Sequence, residues 1–177
     1  MTKDKKNISH RVVYSTWDFQ QALSALTFLR EECDYQKKYP IVQLRRFRCF
    51  ENTIIVSFSR PFKVGRGREY LDLSQFGISL NQDELDIKKK ILTLRDKVVS
   101  HSDEEQMEYD ISSIKISDDS NLRMPTARFK ETLYLEESEL LEIEKLLHKL
   151  IDALAIFQFE LVQSAPNEFK RTKKPRT

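Results

Sequence analysis

A chain of 177 residues with 40% hydrophobic content is long enough to bury one sizeable core and short for two, so a single domain is expected. Three glycines and five prolines exclude a turn-rich sandwich and favour long regular elements, chiefly helices. The net charge of +2 is uneven, with +3 on residues 1–11 and +4 on residues 166–177; the remaining acidic body, about −5, excludes a general nucleic-acid-binding surface and speaks against DNA as a partner.

Residues 1–14 are polar and charged and are expected to form a flexible N-terminal segment. Ser15-Thr16 then caps a first helix whose apolar positions are Phe19, Ala22, Leu23, Leu26, Leu29 and Cys33, running to about Lys38 with Pro40 as its break. From Ile41, the residues Leu44, Phe47, Phe50 or Glu51, Ile54 and Phe58 keep a three-to-four spacing, so a second helix should end near Arg60-Pro61. Arg45, Arg46 and Arg48 fall on its other faces. They are either a solvated face or an RNA-binding strip that contacts phosphates.

The stretch Phe62–Asn81 holds all three glycines and no sustained periodicity, and reads as an ordered loop. Gly65-x-Gly67 is too short for a phosphate loop. Arg66 and Arg68 either line an RNA cleft, because loops carry binding residues more often than helices do, or lie on a solvated turn. Ile87, Ile91, Leu94 and Val98 then mark one face of a third helix, from about Asp83 to Ser100.

Alternation at Tyr109, Ile111, Ile114 and Ile116 slips by one residue at Ser112-Ser113, and Ala127, Phe129, Glu131, Leu133 and Leu135 alternate cleanly. The pattern predicts an antiparallel β-hairpin over about 107–135, with a bulge at the slip and an apolar side lying on the bundle or across a partner subunit. Leu140, Ile143, Leu147, Leu150, Leu154, Phe157 and Leu161 recur at 3-4 spacing and predict a long last helix able to serve both a bundle core and a dimer seam. Residues 15–165 thus form one helical domain, and 166–177 a basic disordered tail.

No run of 18 apolar residues occurs and none follows the charged N-terminus, so a cytoplasmic protein without membrane contact is expected. Cys33 and Cys49 lack the spacing of a zinc or redox pair and read as reduced core cysteines. No metal or cofactor is expected.

One stretch combines an arginine, a histidine and flanking carboxylates at the end of an apolar-periodic segment: Leu94-Arg95-Asp96-Lys97-Val98-Val99-Ser100-His101-Ser102-Asp103. In a regular helix Arg95 and His101 stand roughly 120° and about 9 Å apart, near enough for a long arginine and a histidine on a loosening last turn to converge on one phosphate. The plainer account pairs Arg95 with Asp96 or Asp103 on the surface and leaves His101 at the negative end of the helix.

The same string resembles the R-x4-6-H signature of the HEPN superfamily (higher eukaryotes and prokaryotes nucleotide-binding), with Asp at position 96 where Asn is commonest. The resemblance implies a mainly α fold, a bundle of about four long helices into which the hairpin is inserted. It also implies a metal-independent endoribonuclease of toxin or phage-defence type, with Arg95 and His101 as the catalytic pair and Asp96 as an accessory group. A second Arg/His pair would come from a symmetric homodimer, with RNA as substrate and a cognate antitoxin or defence protein as a further partner. A second class of function is a non-catalytic HEPN-like module that binds RNA, a nucleotide or a protein on the same scaffold.

Overall fold

The computed structural model describes residues 3–64, 70–99, 108–117 and 121–164, with side chains from residue 10 onward and without those of residues 98 and 99. Among these are four α-helices, α1 (Lys3–Glu32), α2 (Ile41–Ser59), α3 (Gln82–Leu94) and α4 (Glu137–Ser164), and one hairpin of β1 (Tyr109–Lys115) and β2 (Arg123–Phe129). The fold is therefore mainly helical with an inserted antiparallel ribbon, as the periodicities predict.

Side-chain pairs fix the helix directions. Asp18 meets Arg60 and Glu32 meets Arg46, so α1 and α2 are antiparallel. Thr16 meets Gln158 and Arg30 meets Glu144, which sets α4 antiparallel to α1. The pairs Lys90–Glu139 and Glu84–Lys149 set α3 antiparallel to α4. Between the four lies one core containing Phe19, Leu26, Phe47, Ile54, Phe58, Ile91, Ile143, Leu147 and Leu154, with Ile87 and Leu94 packed against it. Phe19, Phe58 and Phe62 form a trio with ring centres 5.5–6.0 Å apart, a spacing at which tilted rings attract one another.

The first helix starts well before Ser15 and corrects the expectation of a flexible segment over 1–14. Val12 is fully buried and extends the apolar stripe two turns upstream of Phe19, while the Arg11 guanidinium donates to the Arg60 carbonyl (3.0 Å) and to that of Pro61 at the end of α2. A few anchors of this kind suffice to continue a helix through a polar sequence. Ser15 and Thr16 are thus interior residues rather than caps: the Thr16 hydroxyl donates to the Val12 carbonyl (3.0 Å) and accepts from Gln158 (2.8 Å). At its other end α1 stops at Glu32, short of Lys38, because the Asp34 carboxylate accepts the Gln36 N–H (3.0 Å) and closes a turn that competes with helix.

The second helix keeps its expected bounds and ends in a 3-10 turn at Arg60–Phe62. The loop that follows is ordered where described: Leu71, Leu73 and Ile78 are buried, and a 3-10 turn at Leu73–Phe76 closes on Gly77 at φ 65°, a left-handed conformation suited to glycine. Gly65, Arg66, Gly67 and Arg68 lie outside the described residues. The third helix opens with a capping box, in which Asn81 and Glu84 each accept the other's backbone N–H (2.9 and 2.8 Å).

The ribbon has an unbroken register from Tyr109↔Phe129 to Lys115↔Arg123, which removes the expected bulge. The slip in alternation is instead a change of face. Tyr109, Ile111, Ala127 and Phe129 share one side near the base, and Ile114 and Met124 share the other toward the tip; Ser112 and Thr126 hydrogen-bond (2.6 Å) at the crossover. Neither side lies on the bundle: all of β1 is exposed, with Ile111 72% accessible. Leu133 and Leu135, expected as strand residues, belong to the returning segment and pack into the core.

A buried carboxylate ties that segment down. Glu51 of α2 is fully buried, and its Oε1 accepts the N–H groups of Tyr134 (2.6 Å) and Leu135 (2.8 Å) just before α4 begins. Burial pushes its carboxyl up to about 7 against the pull of those two donors. The folded protein therefore holds this proton more tightly than the unfolded chain does, so the group's contribution to stability is fullest below about pH 4.5 and is lost as pH rises to about 7. Glu51→Gln keeps an acceptor without the titration. Between pH 5 and 8, urea titration should show wild type losing up to about 3 kcal/mol relative to the variant; parallel pH profiles would refute the buried-acid assignment.

Leu147 is fully buried at the centre of the α4 stripe. Leu147→Ala should cost about 2–5 kcal/mol, seen as a lowered urea midpoint, and an unchanged midpoint would contradict the packing described.

Candidate functional site

Arg95 and Asp96 sit where α3 changes character. Leu94 ends the α-helix, and Arg95–Val99 continue as a π-helical turn packed against α2. The Arg95 N–H is shared between the carbonyls of Ile91 and Leu92, four and three residues back, at the last turn before the wider one. Such turns interrupt the regular repeat and are frequent at functional sites. The separation expected between Arg95 and His101 in a regular helix therefore does not carry over, and His101 itself lies outside the described residues.

Asp96 joins two cations. Its Oδ1 accepts Arg95 Nη1 at 2.8 Å and its Oδ2 accepts Lys63 Nζ at 2.5 Å, Lys63 coming from just beyond the end of α2. Lys63, followed by Arg95, holds the Asp96 carboxyl below the usual carboxylate range. The group therefore stays ionised at neutral pH, and the pairing is lost only as pH falls through that lowered value. The three side chains remain 35–43% accessible. Two cations around one carboxylate leave a local excess of positive charge, and the guanidinium keeps further N–H donors beyond the one spent on Asp96. The cluster suits a small anion or a phosphate group. Nothing in the sequence flagged Lys63, because the pairing spans 33 residues and depends on how α2 and α3 cross.

The arginines of α2 are placed elsewhere and are occupied. Arg45 holds Glu131 in a fork of contacts at 2.6–3.0 Å, and Arg46 pairs with Glu32 (2.7 Å) beside the Phe50 ring. Arg48 donates to the Thr132 carbonyl and lies 4.1 Å over the Tyr134 ring, with Glu51 3.7 Å away. Roughly 16 Å of helix separates Arg48 from Ser59, by the rise per residue, and Lys63 lies beyond that end. The structure thus does not bring Arg45, Arg46 or Arg48 to the Arg95 cluster. Each is engaged by a partner within the chain, while the Arg45 and Arg46 side chains stay 60% and 61% accessible. Arg66 and Arg68 are outside the described residues.

Among the described residues no group of three or more His, Cys, Asp or Glu side chains is placed to hold a metal ion, and no helix is long and apolar enough to cross a membrane. No family model, curated protein or solved structure matches the chain.

Lys63→Met removes the ammonium while keeping an aliphatic stem. It should raise the Asp96 pKa, read by carboxyl-carbon NMR, and shift global stability by less than about 1 kcal/mol because the pair is half-exposed. An unmoved Asp96 titration would break the proposed three-residue cluster.

Proposed function

We propose that the chain is a metal-independent endoribonuclease of HEPN type, acting on RNA at a site built around Arg95, Asp96 and His101. The observation that carries this reading is the Arg95–Asp96–Lys63 cluster on a π turn at the end of α3, a few residues before His101. The mainly helical fold agrees with it. In the proposed reaction the RNA 2′-hydroxyl attacks the adjacent phosphorus, its proton passes to a base, the bond to the 5′-oxygen breaks, and an acid protonates that oxygen. Histidine titrates near neutral pH and suits either proton transfer. The permanently charged guanidinium stabilises the phosphorane oxygens, while Asp96 positions it and Lys63 adds a second cation.

One Arg/His pair supplies half of the acid–base set, so the active species is proposed to be a symmetric homodimer. Apolar side chains left open on the ribbon, including Ile111, Ile114 and Phe129, offer surface for a partner subunit. The same exposed ribbon favours a second reading, a non-catalytic module that docks a protein or RNA partner.

Arg95→Ala and His101→Ala should each lower cleavage of single-stranded RNA by about 10²–10⁴-fold with the circular-dichroism melting curve preserved. Wild-type activity should survive EDTA, and sedimentation should show a species heavier than the 21.0 kDa monomer. Undiminished cleavage by purified His101→Ala, or a strict need for magnesium, would overturn the catalytic assignment.

A further inference from the structure

At the opposite end of α2 from Lys63, a cleft of about 850 Å³ opens between the α1–α2 connection and the segment that leads from the ribbon into α4. This volume is in the range of small-molecule sites. Its apolar surface comes from Leu44, Leu133 and Leu135 and from the rings of Tyr35 and Tyr39. The Tyr39 hydroxyl is engaged, accepting the Asp34 N–H at 2.7 Å, and its ring packs edge-on against Phe47 at 4.9 Å. The Tyr35 hydroxyl is buried and has no hydrogen-bond partner among the described residues. Its oxygen is shielded from the cleft as well, so Tyr35 offers a ligand its ring and not its hydroxyl.

The wall is also electrically one-sided. Four carboxylates, Asp34, Glu131, Glu136 and Glu137, face two ammonium groups, Lys37 and Lys38. Asp34 is paired with Lys37 (3.0 Å) and Glu131 with Arg45 (2.6 Å), whereas no cation pairs with Glu136 or Glu137 among the described residues. Buried Glu51 stands close behind. Burial, and then the charges of Asp34, Glu137 and Glu51, push the Cys33 thiol up; burial is likewise the main cause that pushes the Tyr35 phenol up, so both groups stay protonated and add no charge to the wall.

We propose that this cleft binds a small organic cation, an ammonium carried on an aromatic or alkyl body. The apolar body covers Leu44, Leu133 and Leu135, and the ammonium lies against the tyrosine rings and the Glu136 and Glu137 carboxylates. An anionic RNA chain is disfavoured here by the same carboxylates. About 22 Å of helix between Leu44 and Ser59 separates this cleft from the Arg95 cluster, so its ligand is read independently of RNA cleavage.

Dansylcadaverine tests the proposal, since it combines a naphthalene body, sulfonyl oxygens and a primary ammonium, and its emission rises when the ring leaves water. Full-length protein should bind it saturably with a Kd below about 1 mM. The N-acetylated, uncharged probe should bind at least tenfold more weakly, as should the cationic probe on the exposed-site double variant Glu136→Gln/Glu137→Gln. Absence of saturable binding, equal affinity for the acetylated probe, or undiminished binding by the double variant would overturn the proposal.

Discussion

The bundle depends on how α2 holds the chain after its longest excursion. From the end of α3 the polypeptide leaves through the ribbon and must return at the right place to start α4, whose stripe supplies much of the core. Three side chains on one side of α2 secure that return: Arg45 grips Glu131, Arg48 grips the Thr132 carbonyl and covers Tyr134, and Glu51 accepts the N–H groups of Tyr134 and Leu135. Glu51 carries the largest consequence because it is fully buried. Its two backbone donors have no water to fall back on, and losing them would leave buried polar groups unpaired. Leu135, the first buried residue of the returning segment, is thereby seated before Leu140 and Ile143 follow it into the core.

That clamp also divides the surface. At its own end of α2 it spends the arginines on acidic and carbonyl partners, and beside it opens the tyrosine-lined cleft with its excess of carboxylates. At the far end the polarity reverses, with Lys63 and Arg95 around a single carboxylate. The two regions therefore suit ligands of opposite charge, and α2 is the strut that keeps them apart. Arg95 is oriented by Asp96, and Asp96 is held in turn by Lys63, so the guanidinium is positioned by two elements distant in sequence rather than by the π turn alone.

The ribbon follows a different logic. An isolated two-stranded sheet is marginal in water, and this one has no support from the helices along either face. What it has are cross-strand pairs: Tyr109 with Phe129 at a ring distance of 5.7 Å, Ser112 with Thr126, and Lys130 with Glu108 at its base. Each contributes only modestly. The apolar side chains change face halfway along, so a partner covering one face would still leave apolar residues open on the other.

What the sequence by itself determined is the set of features whose cause is local and periodic. The bounds of α2, the α3 and α4 stripes and the existence of the ribbon followed from apolar spacing, because burial on one face of a helix or strand is written at a fixed repeat. The Asn81–Glu84 capping box came only with the structure, since apolar periodicity starts the third helix at about Asp83. Tertiary structure alone decided the rest. Whether Arg45 and Arg48 are free or spent depends on Glu131 and Thr132, more than 80 residues away; whether 3–14 is helical depends on Val12 reaching the core and Arg11 reaching the end of α2. The one-residue slip in β1 has two solutions, a bulge or a change of face, and periodicity does not distinguish them; only the pairing with β2 did. Arg95 and Asp96 were legible as a motif, but Lys63 was not, since charge partners are chosen by the crossing of helices and leave no repeat in the chain.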